Sequence, residues 1–148
     1  MYPALNNFVL KARRMKDLHC KLASGAAAAA LVLLLAAAQR PAALAQTSPG
    51  LWELSGLPGA SGPSRRCLLD TAALAQVEHR GQSCTRVIVS DAGSTAVIHY
   101  TCTNGGFGRT QLTALTPRSI RVETQGISNG APFNYVVNAR RVGACPAH

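Results

Sequence analysis

Gly126-Ile127-Ser128-Asn129-Gly130 has the G-x-S-x-G form of a serine-hydrolase nucleophile. That chemistry needs a strand-to-helix elbow, followed by an acid and a histidine. Here the pattern falls in a loop between two expected strands, no Asp or Glu follows it, and only His148 remains. It reads as a loop. His99 and Cys102, with Cys84 opposite, are residue types that bind transition metals, yet residues three apart on a strand point to opposite faces. The cysteines also lack the paired C-x-x-C spacing of zinc sites. Gly105-Gly106-Phe107-Gly108 carries no Lys-Ser/Thr and opens no helix, so it reads as a turn rather than a phosphate cradle. Glu53, Asp70, Glu78, Asp91 and Glu123 are too scattered for the carboxylate pair of glycoside chemistry. Trp52 reads as a core anchor, and His79 as a helix-ending residue facing water or the helix carbonyls. The expectation is a protein that is not an enzyme, with no catalytic residue, no metal site and no cofactor.

Positioning begins with a leader. Lys11, Arg13, Arg14, Lys16 and Lys21 precede the apolar run Gly25 to Ala38, and Ala43-Leu44-Ala45 offers small side chains at both recognition positions of a signal peptidase. The expected cut falls between Ala45 and Gln46, leaving residues 1–45 as signal peptide and 46–148 as a single domain. A start at Met15 would give the leader a more ordinary form. The apolar run is shorter than the roughly 20 residues of a spanning helix, so no membrane span is expected after cleavage. Of the 15 Lys+Arg and 6 Asp+Glu in the whole chain, nine arginines, no lysine and five acids lie beyond residue 45. Net charge thus falls from +9 to about +4. The high precursor pI is partly a targeting signal, and no nucleic-acid partner is expected.

Beyond the leader, strands are expected at Leu51–Leu54, Arg65–Leu68, Cys84–Ser90, Thr95–Thr103, Arg109–Leu115, Ser119–Gln125 and Phe133–Val142. Gly/Pro/Ser clusters, Asp91-Ala92-Gly93-Ser94 and Asn104-Gly105-Gly106 mark turns between them. Asp70 caps one short expected helix, Thr71 to Glu78. Ile120 and Val122 alternate with Arg121 and Glu123, while Phe133, Tyr135, Val137 and Ala139 share a face. The fold class is mainly β: an antiparallel meander, as a curved sheet or a partly closed barrel, with one short helix and disulfide staples.

Four cysteines remain beyond the leader, an even number suited to an oxidising compartment. Closing the Asp91–Ser94 hairpin symmetrically about Gly93 sets Cys84 opposite Cys102, Arg86 opposite Tyr100 and Ile88 opposite Ile98. That selects a Cys84–Cys102 bridge and leaves Cys67 with Cys145, which ties the first hairpin to the C-terminal end. The longer loop should be worth about 4 kcal/mol and the shorter about 3. The Cys67–Cys145 bridge also brings Arg65-Arg66 towards Arg140-Arg141. Four guanidinium groups at one edge suit an anionic envelope polymer or a carboxylate-bearing periplasmic protein.

Pro49-Gly50-Leu51-Trp52-Glu53, the cysteine order, and Arg140-Arg141-Val142-Gly143-Ala144-Cys145 together resemble the DUF3617 family of small exported bacterial proteins of unknown function. Members often continue the first cysteine as C-x-T-P-E, where this chain reads Cys67-Leu68-Leu69-Asp70-Thr71. The resemblance implies a Gram-negative periplasmic location and transfers no catalytic residue. The resulting expectation is a binding or envelope-accessory module. Its alternatives are a carrier of an apolar small molecule or lipid and an inhibitor of a cell-wall-degrading enzyme.

Overall fold

Alternating apolar and polar side chains build seven strands in the computed structural model, which describes residues 40–147. They are β1 (Gly50–Ser55), β2 (Ser64–Leu68), β3 (Cys84–Ala92), β4 (Thr95–Cys102), β5 (Phe107–Thr116), β6 (Ser119–Ser128) and β7 (Ala131–Gly143). All pair antiparallel in one open sheet of order β2-β1-β7-β6-β5-β4-β3. β3 to β7 form the expected meander. The β1–β2 hairpin docks on β7, so the sheet ends in two free edges and does not close into a barrel.

Cys84 faces Cys102, Arg86 faces Tyr100 and Ile88 faces Ile98, as hairpin symmetry predicts. The turn itself holds two residues, Gly93 and Ser94. A bulge at Val89 supplies the extra residue that reconciles this turn with the register beyond it. Disulfides join Cys84 to Cys102 across the β3–β4 pair and Cys67 on β2 to Cys145 after β7, with Cα separations of 3.9 and 5.3 Å.

One face of the sheet is the core. Trp52, Leu54, Ile98, Leu112, Ile120, Val122, Val137 and Ala139 point inward and are buried. Two 3-10 turns cover them. The second turn, Thr71–Gln76, stands where a helix to Glu78 is expected. Asp70 caps it, accepting from the Ala72 amide at 3.0 Å. Its buried residues are Thr71, Ala72, Leu74 and Ala75. These recur at a spacing of three, so the tighter winding stacks them on one side, facing the sheet.

The first turn, Ala42–Leu44, lies upstream of Gln46. Leu44 is fully buried in the core. The Asp91 carboxylate accepts the Ala42 and Ala43 amides at 2.6 and 2.9 Å. Arg40 donates to the Leu44 and Thr47 carbonyls at 2.8 and 2.7 Å. The leader's charged and apolar runs lie outside the described residues. Among those residues, no helix is long and apolar enough to cross a membrane.

Candidate binding surface

The two sequence-distant motifs interlock where β1 lies between β2 and β7. Trp52 pairs with Arg66 on one side and Arg141 on the other, and Glu53 pairs likewise with Arg65 and Arg140. Because neighbours on a strand point to opposite faces, each Arg-Arg dipeptide is split. Arg65 and Arg140 project from the outer face around Glu53, at 3.2 and 3.5 Å from its carboxylate. Arg66 and Arg141 lie on the Trp52 side and are half-buried. The expected edge of four guanidinium groups is therefore two pairs on opposite faces.

Of the inward pair, Arg141 is structural in character. Arg141 donates through Nε to the Pro49 carbonyl at 2.9 Å. It crosses Gly50, where an added Cβ would come within 2.6 Å of the same Nε. Gly50 also has a φ of 150°, so glycine is required on both counts. The indole N–H of Trp52 is satisfied by the Ser48 carbonyl at 3.2 Å, and its ring is fully buried, as a core anchor requires.

Arg65 and Arg140 are different. Their side chains are 66% and 71% exposed, and both share the single carboxylate of Glu53. One acid between two cations leaves a surplus positive charge and several free N–H donors directed outward. Farther along the same face, His99, Arg109, Gln125 and Asn134 stand side by side on β4, β5, β6 and β7. They line a shallow groove of about 490 Å³ beside the half-exposed ring of Phe107. Arg109 has no ion-pair partner among the described residues. Sequence reading missed this row because its members are far apart in the chain. Only the full register of four strands lines them up.

The remaining candidates separate. His99 points outward whereas Cys102 is inward and bridged to Cys84, so the two do not converge on a metal. Among the described residues, no three metal-ligating side chains cluster. Ser128 ends β6 and pairs with Ala131 across the two-residue turn Asn129-Gly130. Both turn residues have positive φ, 51° and 77°, the geometry of a tight hairpin rather than an elbow.

His79 departs from expectation. It is 2% exposed, and its Nδ1 lies 3.0 Å from the Tyr100 hydroxyl. The chain turns back over the sheet after the second 3-10 turn, and Gly106 leaves room for the imidazole. A Cβ there would overlap Nε2. Tyr135 donates to the Glu78 carboxylate at 2.8 Å. Burial chiefly raises the Tyr100 phenol to about 12; a hydrogen bond with Thr124 opposes the rise and the Glu78 charge adds to it. Burial, then the hydrogen bond with Glu78 and its charge, push the Tyr135 phenol higher still. This cluster closes one end of the core.

Together these features define a class: a small β domain built on one open antiparallel sheet, with two disulfides and a polar outer face. The family model described as a protein of unknown function (DUF3617) matches residues 47–145. The chain belongs to the DUF3617 family. No curated protein and no solved structure matches it.

Proposed function

We propose that this is an exported, periplasmic, non-enzymatic binding module whose outer face engages an anionic envelope polymer or a carboxylate-bearing protein. The observation that carries this reading is the Arg65–Glu53–Arg140 row, in which two largely exposed guanidinium groups share one carboxylate. Arg109 extends positive charge along the same face. Guanidinium forks suit carboxylates and phosphates, and their long-range field speeds encounter with a polyanion. Export agrees with the two disulfides, which need an oxidising compartment to persist. A lipid carrier is less well supported, because Ala72, Leu74 and Ala75 of the second turn, which stay with the exported domain, pack into the core on the inner face of the sheet.

The split of the arginines decides the test. Arg65→Gln with Arg140→Gln should leave the Tm nearly unchanged, since exposed ion pairs contribute little. The same variant should lose most of its salt-sensitive binding to polygalacturonate, a carboxylate polymer. Arg66→Gln with Arg141→Gln should lower the Tm and retain more binding. Equal retention of wild-type and Arg65→Gln/Arg140→Gln protein on the polymer at every salt concentration would sink the proposal.

A further inference from the structure

The expected cut between Ala45 and Gln46 divides a packed unit. Upstream of it Pro41, Ala43 and Leu44 are buried, Leu44 completely. The turn that carries them packs on β3, β4 and β5. Everything that receives this turn lies downstream of the cut. Asp91 accepts the Ala42 and Ala43 amides, its only side-chain hydrogen bonds among the described residues. Asp91 pairs with Ala96 and Ala96 with Leu112, both fully buried, so the carboxylate stands at the rim of the apolar inner face. Arg40 lies 3.9 Å from the Asp70 carboxylate and 3.4 Å from the Thr71 hydroxyl. Even with the turn in place, a cleft of about 320 Å³ lies between it and the hairpin ends at Gly93-Ser94 and Thr116-Pro117. Cutting the chain removes the occupant and leaves the receiving side whole. A core closes only partly around a lost leucine, so an apolar pit remains, flanked by the Asp70 and Asp91 carboxylates.

We propose that the processed domain uses this pit to bind a peptide segment of an envelope protein, with a leucine four residues after a basic residue and small residues between. The segment that fills the site before the cut has that chemistry, running Arg40-Pro41-Ala42-Ala43-Leu44. Each part of the site selects for it. The pit takes the leucine, as Leu44 does in the uncut chain. Asp91 takes two adjacent main-chain N–H donors, which a peptide turn supplies and an acyl chain lacks. Small residues let that backbone approach the carboxylate, and Asp70 complements the basic side chain. Processed copies no longer carry Arg40 to Leu44, so the occupant is another protein. One buried leucine and a few hydrogen bonds make the binding weak and reversible. The site exists only if the protein is exported and cut after Ala45, and it lies on the opposite face of the sheet from Arg65 and Arg140.

The intact mass of the exported protein should begin at Gln46. A mass that still includes Arg40–Ala45 leaves no pit and overturns the proposal. That protein is then titrated with a capped synthetic peptide of Arg40–Ala45, up to millimolar concentration, and followed by backbone-amide NMR. Saturable shifts are expected, confined to Asp91, β4, β5 and the turn at Thr71. The uncut chain, whose own segment fills the site, should show none. Leu44→Asp in the peptide should weaken binding at least tenfold. Asp91→Ala in the domain should do the same and change the Tm little, because the partners of Asp91 left with the cut segment. Arg65→Gln/Arg140→Gln protein should bind the peptide as wild type does, so loss of polymer binding and loss of peptide binding are read separately. Absence of saturable shifts would overturn the proposal, as would equal binding by the uncut chain, the Leu44→Asp peptide or the Asp91→Ala domain. Shifts reversed by decanoate at matching concentration would assign the pit to an acyl chain and overturn the peptide reading.

Discussion

At the scale of single residues, the sharpest contrast is between side chains whose setting follows from neighbours in sequence and those whose setting follows from the fold. Glu53, Trp52 and the alternating Ile120 and Val122 face as a strand dictates. His79 does not, because its burial depends on Tyr100 and Gly106, which reach it only once β4 and β5 are in place. No local pattern around Glu78-His79-Arg80 announces that pocket. Its partner Tyr100 makes a pH prediction. A phenol near 10 in the unfolded chain and about 12 in the folded one binds its proton more tightly when folded. The associated stability is complete below pH 10 and falls as pH rises through 10 towards 12. Tyr100→Phe loses the contact with His79 and should cost about 1 kcal/mol at neutral pH. It should also show a flatter fall in Tm between pH 9 and 11 than the wild type. A wild-type curve as flat as that of the variant, followed by circular dichroism, would refute the assignment.

Among elements, the strands were legible because alternation and turn residues agree, and the Cys84–Cys102 register followed from one hairpin. Two features escaped. The Asn129-Gly130 turn lies inside the G-x-S-x-G string, so β6 and β7 run three residues and two residues farther into the supposed loop than alternation alone suggests. The other is the turn Ala42–Leu44, whose residues read as a peptidase motif and which the structure also packs beneath the sheet. Its stability contribution is separable from any processing event. Burying a leucine such as Leu44 is worth about 1.5–3 kcal/mol, and its removal leaves a cavity. Leu44→Ala in a chain that begins before Arg40 should therefore lower stability by about 2–5 kcal/mol. Asp91→Ala, which frees two amides of the same turn, should act in the same direction. Denaturant unfolding of both variants checks this. If Leu44→Ala unfolds at the wild-type midpoint, the turn does not belong to the stable core. A chain cut after Ala45 would start with that site vacated and should bind apolar dyes that the uncut chain excludes.

Across the whole molecule, chain ends and family motifs converge on one structural unit. The Pro49-to-Glu53 and Arg140-to-Cys145 segments looked like separate landmarks, yet they are adjacent strands. Pro49 receives Arg141, Gly50 gives it room, Glu53 holds Arg140, and Cys145 closes onto Cys67. Their joint occurrence thus reflects a physical requirement: β1 can dock on β7 only if both halves of this seam are present. The division of the arginines between faces follows from strand alternation alone, the rule that separates His99 from Cys102, and treating each Arg-Arg pair as one patch overlooked it. The β1–β7 seam is also the most non-local part of the sheet, joining strands from the two ends of the domain, and the Cys67–Cys145 bridge closes a loop of 78 residues across it. Such a bridge acts mainly by restricting the unfolded chain and should be worth about 4 kcal/mol. The Cys84–Cys102 bridge spans 18 residues and should be worth about 3 kcal/mol. Replacing Cys67 and Cys145 with Ser should therefore lower the unfolding free energy by more than the same change at Cys84 and Cys102. It should also expose the β1–β7 amides to hydrogen exchange before those of β4, β5 and β6. If the two double variants unfold in the opposite order, the long bridge is not the principal restraint on the unfolded chain. If the β4–β6 amides exchange first, the seam is not where the sheet opens.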